Sequence, residues 1–61
     1  MGNGITFEWV GQNVIIKSFS GAKLYTVQNA RSARFEGENI IVRGNCFETI
    51  KFSPNGTRSF L

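Results

Sequence analysis

Few side chains in this chain could carry chemistry: Glu8, Glu36, Glu38 and Glu48, the single cysteine Cys46, and a set of seven lysines and arginines. Neither histidine nor aspartate occurs. A Ser-His-Asp triad therefore cannot be assembled within one chain, and Cys46 has no imidazole to turn its thiol into a nucleophile. One cysteine without histidine also excludes an internal disulfide and the usual Cys/His zinc sets. Paired carboxylates can do acid-base work, but each of the four glutamates falls in a strand or turn pattern where an exposed charge is the simpler reading. Cys46 reads as a small buried hydrophobe rather than a nucleophile or redox switch. Asn55-Gly56-Thr57 matches a glycosylation acceptor, yet the same three residues suit a tight turn. No glycine is followed by the Gly-Lys-Ser/Thr of a phosphate loop. The expectation is a non-enzymatic protein with no cofactor, no metal and no small-molecule substrate.

What remains is a basic and aromatic set. Lys17, Lys23, Arg31, Arg34, Arg43, Lys51 and Arg58 give a formal charge of +3 against the four glutamates, and Trp9, Phe19, Tyr25, Phe35, Phe47 and Phe60 accompany them. Aromatics on a sheet flanked by Lys and Arg stack bases and hold phosphates in several small β modules. A chain of 61 residues is, however, expected to need most of its aromatics for its own core. Among the cations, Lys17, Arg43, Arg34 and Lys51 are the candidate contacts for nucleic acid or another anion.

The elements that must position these residues are strands. β-branched and aromatic residues gather in short runs punctuated by Gly and Asn, a strand-and-turn pattern without helical periodicity. The spacing predicts strands over 5–10, 13–19, 23–28, 32–36, 39–43, 46–53 and 58–61, with Phe60 and Leu61 forming an edge strand or docking tail. Reversals are marked by Gly11-Gln12-Asn13, Ser20-Gly21-Ala22-Lys23, Gly37-Glu38-Asn39, Gly44-Asn45 and, most clearly, Ser53-Pro54-Asn55-Gly56-Thr57. Asn29–Arg34 could form one helical turn, but an isolated turn is marginal, and a loop entering a strand is the preferred reading. The fold class is all-β: one small domain, residues 1–61, an antiparallel meander of about five to seven short strands forming a barrel-like or a curled sheet.

A repeat runs through this meander. At an offset of 26 residues, Trp9-Val10-Gly11-Gln12-Asn13-Val14-Ile15-Ile16-Lys17 aligns without gaps on Phe35-Glu36-Gly37-Glu38-Asn39-Ile40-Ile41-Val42-Arg43, and Leu24 falls on Ile50. The alternative is that any two hairpins with a Gly-x-Asn turn look alike, because tight turns demand the glycine. Under the repeat, Lys17 and Arg43 are equivalent.

Alternation places Ile5, Phe7 and Trp9 on one side of the first strand. The second and fifth strands are apolar on both sides: Val14 and Ile16 oppose Ile15 and Phe19, and Ile40 and Val42 oppose Ile41. Strands of this kind lie inside a sandwich or under a cover, and a chain this short, burying about 60% of its unfolded surface, has little cover to offer. The surplus predicts a homo-oligomer or a protein partner, with Ile15, Phe19 and Ile41 as the assembly surface. A tightly curled barrel that hides one face is the alternative.

Ile40-Ile41-Val42-Arg43-Gly44-Asn45 resembles the Arg-Gly segment of Sm-like RNA-binding proteins and is similar to the Val-Arg-Gly strand of ring-forming tryptophan-responsive RNA attenuation proteins. The chain lacks the Asp and Met-Asn signature of the former and the full strand set of the latter. Ile50-Lys51-Phe52-Ser53-Pro54-Asn55-Gly56-Thr57 is similar to the strand-turn pattern near the end of pseudopilin globular domains, whose hydrophobic N-terminal helix is absent. No membership follows from these short segments.

Met1-Gly2-Asn3-Gly4-Ile5 lacks the basic-then-apolar order of a secretory signal. No apolar run exceeds three residues, as at Val14-Ile15-Ile16, far short of a bilayer span. A lone thiol suits a reducing compartment, so the expectation is a cytoplasmic protein with no membrane contact. Two functions follow: a small β module acting through protein-protein assembly, or a basic β-barrel binding RNA or single-stranded DNA.

Overall fold

The computed structural model describes residues 4–61; Met1–Asn3, part of the segment read for a secretory signal, lie outside the described residues. Seven strands follow in chain order: β1 (Ile5–Val10), β2 (Asn13–Ser18), β3 (Lys23–Val27), β4 (Ser32–Glu36), β5 (Asn39–Arg43), β6 (Thr49–Phe52) and β7 (Arg58–Phe60). No helix occurs among the described residues. Two kinds of turn generate the pattern. Gly11-Gln12 joins β1 to β2 and Gly37-Glu38 joins β4 to β5, with the first glycine at φ 63° and 65° respectively. A positive angle at the first turn residue alone is the type II′ form, whose twist matches the flanking strands.

The other three hairpins share a three-residue loop. Gly21 donates its N–H to the Ser18 carbonyl, Phe47 to Gly44 and Gly56 to Ser53, while Ser18, Gly44 and Ser53 donate to the carbonyls of Ala22, Glu48 and Thr57. The third loop residue must take the left-handed conformation; Gly21 and Gly56 do so at φ 94° and 91°, and Phe47 does so at φ 66°. The third loop is further fixed by the Thr57 N–H, which donates to Asn55 Oδ1.

The strands form two antiparallel sheets, β1-β2-β3 and β4-β5-β6-β7, and the ladders do not close into a barrel. Their inner faces meet in a core of Ile5, Val14, Ile16, Ile40, Val42, Ile50 and Phe52. Phe7 stacks obliquely on Phe35, and Tyr25 on Phe52, each pair with centroids 5.2 Å apart. Burying a side chain of this kind is worth roughly 1.5–3 kcal/mol. One crossover links the sheets: the N–H of Ala30 donates to the Gln12 carbonyl, that of Arg31 to Arg43, and that of Asn29 to Asn13 Oδ1. Asn29–Arg31 is accordingly a loop, with Ser32 opening β4.

The 26-residue offset is visible in three dimensions. Val10 pairs with Asn13 as Glu36 does with Asn39, and Lys17 pairs with Lys23 as Arg43 does with Thr49. The loops at Ser18–Ala22 and Gly44–Glu48 carry the same hydrogen bonds. The equivalence of Leu24 with Ile50 does not survive. A bulge between Ile16 and Lys17 leaves Leu24 unpaired, so Tyr25 pairs with Ile16 as Ile50 pairs with Val42. The sixth strand starts at Thr49, not at residue 46, because Asn45–Phe47 form the loop that Gly44 and Glu48 close, and Cys46, expected to be buried, is exposed in that loop.

Candidate functional site

Since the inner faces pack together, the outer faces carry the charges. On the first sheet, Glu8, Ile15 and Thr26 form one cross-strand row, and Thr6, Lys17 and Lys23 the next. Lys17 reaches diagonally to the Glu8 carboxylate. That ammonium, as hydrogen-bond donor first and charge second, holds the Glu8 carboxyl below its ordinary value. On the second sheet the equivalent rows are Arg34, Ile41, Lys51 and Ser59, and Ser32, Arg43 and Thr49. Arg34 stands where Glu8 stands in the first unit and Arg43 where Lys17 does, so the same diagonal holds two cations in place of an ion pair. Arg34 has a long contact, 3.6 Å, to Glu36; Arg43 and Lys51 have no ion-pair partner among the described residues.

The four candidate cations are thus divided: Arg34, Arg43 and Lys51 share the outer face of the second sheet, and Lys17 lies on that of the first. The assembly trio is divided too. Ile15 is half-buried on the first outer face, Ile41 is only 7% exposed between Arg34 and Lys51, and Phe19, at 68%, occupies the tip of the first three-residue loop.

Aromatics are distributed differently from the sequence expectation. Of the six in the basic-aromatic set, only Tyr25 packs against the core, and Trp9, Phe19, Phe35, Phe47 and Phe60 are exposed. The physical reason is that aliphatic Val14, Ile16, Ile40 and Val42 already fill the central strands completely. Trp9 and Phe35, 43% and 53% exposed, occupy equivalent repeat positions on the inward-facing sides of β1 and β4, and Phe35 meets the opposite sheet through Phe7 while remaining half open to solvent. Their matching place in the repeat was the available signal. No aromatic side chain lies on the outer face of the second sheet, so the basic residues there have no stacking partner.

A separate cluster surrounds the second loop. The Arg31 guanidinium lies 4.2 Å from the centroid of Phe47, which is 61% exposed, and its Nε donates to the Asn45 carbonyl. Glu48 folds back over Gly44 and accepts the Cys46 N–H, so a Cβ at Gly44 would collide with the carboxylate. At the opposite margin, Arg58 lies over Tyr25 and Phe60, and Tyr25 donates its hydroxyl to the Gly56 carbonyl. Among the described residues there is no pocket and no group of three or more potential metal ligands. No helix there is long and apolar enough to cross a membrane. Comparison with family models, with curated proteins and with solved structures found no match.

Proposed function

We propose that this chain is a non-enzymatic β module that works by assembly, with copies of itself or within a larger protein complex. One observation carries the reading: Trp9, Val10, Phe19, Leu24, Phe35, Phe47, Phe60 and Leu61 are all exposed on a domain whose total surface is 3978 Å². A specific interface takes about 800 Å² per partner, and exposed aromatic surface is the commonest anchor of such interfaces. Trp9, Phe35 and Phe60 lie on inward-facing sides of their strands, so covering them continues the core. Light scattering on the eluting protein should give a mass above that of one chain at micromolar concentration, with no excess absorbance at 260 nm. A clean monomer at about 100 μM, where even an interface worth roughly 5–6 kcal/mol would be partly populated, defeats the proposal.

A second reading, an RNA or single-stranded DNA binder, is favoured by the convergence of Arg34, Arg43 and Lys51 on one face. It requires retention on an anionic polymer that falls steeply with salt as counterions are released. The assembly reading ranks first because the aromatics needed for base stacking lie elsewhere.

A further inference from the structure

Four strand edges are open in this sandwich: those of β1, β3, β4 and β7. An open edge offers unpaired N–H and C=O groups to another chain unless a charge, a bulge or shortness blunts it. Three of the four are blunted. β3 carries Lys23 and the bulge at Leu24, β4 carries Arg34 and Glu36, and β7 is three residues long with Arg58 among them. β1 is different. It is six residues long, Ile-Thr-Phe-Glu-Trp-Val, with a regular register, and its single charge, Glu8, is occupied by Lys17 of its own sheet.

We propose that β1 pairs with β1 of a second copy, antiparallel about a twofold axis, joining the first sheets of two chains into one of six strands. This rests on the assembly reading and names its partner. Hydrogen-bond alternation supplies the first argument. A two-residue hairpin closes on a hydrogen-bonded pair, here Val10 with Asn13. Val10, Glu8 and Thr6 therefore spend their backbone groups on β2, and Ile5, Phe7 and Trp9 present theirs to the open edge.

The register follows from faces and charge. Inner-face residues must oppose inner-face residues, since opposed side chains in a ladder share a face. Centring the axis on Phe7 sets Phe7 opposite its copy and Ile5 opposite Trp9, which satisfies the edge groups of all three residues in each chain. It also sets Thr6 opposite Glu8 on the outer face, with no like charges in contact. Centring on Glu8 would oppose two carboxylates, which is destabilising; centring on Thr6 shortens the ladder. The edge is thus self-complementary in one register, as an isologous contact requires. Phe35, stacked on Phe7, lies along the same margin and is covered together with Trp9.

Thr6 is exposed and faces Lys17 across its own hairpin, so Thr6→Glu suits the single chain while opposing Glu8 of the second copy twice per dimer. Sedimentation equilibrium should show dissociation about tenfold easier than for the parent. Independently, in a Cys46→Ser background, a chain bearing Thr6→Cys mixed with one bearing Glu8→Cys should form the mixed disulfide on mild oxidation. Neither variant alone should crosslink efficiently, since the Cα separation of directly opposed residues suits a disulfide. If the parent assembles but Thr6→Glu changes nothing and no mixed disulfide forms, β1 pairing is overturned and the assembly reading stands. Efficient crosslinking of Glu8→Cys with itself overturns the register, and a monomeric parent overturns both proposals.

Discussion

The hairpin of β1 and β2 with its third strand β3, and the hairpin of β4 and β5 with β6, share turn geometry, loop hydrogen bonds and the aliphatic centre of the core, yet differ in three ways. The third strand of the first unit is bulged at Leu24, so half-buried Val27 stands opposite Val14 where fully buried Phe52 stands opposite Ile40. The loop residue in the left-handed conformation is Gly21 in one and Phe47 in the other. The outer diagonal pairs Glu8 with Lys17 in one and sets Arg34 beside Arg43 in the other. The shared parts are those that backbone geometry dictates; the differences lie in packing and charge.

The most severe way to break the comparison is in the core. Phe52→Ala should cost about 3–5 kcal/mol, a large share of the stability of so small a domain. Val27→Ala at the matching position should cost roughly 1 kcal/mol, and equal losses in denaturant unfolding would show that the bulge does not divide the units as described. Next come the loops. Gly21→Ala should destabilise by about 1–2 kcal/mol, the cost of a side chain in left-handed backbone, and Phe47→Gly should recover a similar amount less its contact with Arg31. If Phe47→Gly is stabilising and also weakens assembly, Phe47 is held in its unfavourable conformation for recognition.

Tyr25→Phe, which removes the hydroxyl bonded to the Gly56 carbonyl, should cost about 0.5–1.5 kcal/mol by thermal unfolding. Arg34→Glu gives Arg43 the diagonal partner that Lys17 already has. Its effect on stability should stay within about 0.5 kcal/mol, while any salt-sensitive retention on an anionic polymer should disappear; undiminished retention would remove that face from consideration. The smallest effect concerns acid. The folded state lowers the Glu8 carboxyl, so its contribution is complete above the ordinary carboxylate range and is lost as pH falls through the lowered value. Carbon-detected titration should place Glu8 below the ordinary glutamate value, with the gap narrowing in high salt.

The strands and reversals were legible because glycine, proline and asparagine announce turns in their own residue types. The crossover at Asn29–Arg31 and the edge strand at Arg58–Phe60 were legible for similar reasons. The loop at Asn45–Phe47 was less so, since a phenylalanine in left-handed backbone has no signature in sequence and its neighbours read as strand. Leu24 defeated the repeat because a bulge shifts register without altering composition. Division of the candidate cations between two outer faces depends on which side of each sheet meets the core, a property of packing rather than of any one segment. The exposure of Trp9 and Phe35 has the same origin.

Every ladder in both sheets joins strands that are neighbours in the chain. Each hairpin can therefore zip from its own turn with little loop-closure entropy, and only the docking of one sheet on the other across the crossover at Asn29–Arg31 must wait for distant residues to meet. The turns then govern how fast this protein folds, and the side chains between the sheets, Tyr25 on Phe52 and Phe7 on Phe35, govern how long it stays folded.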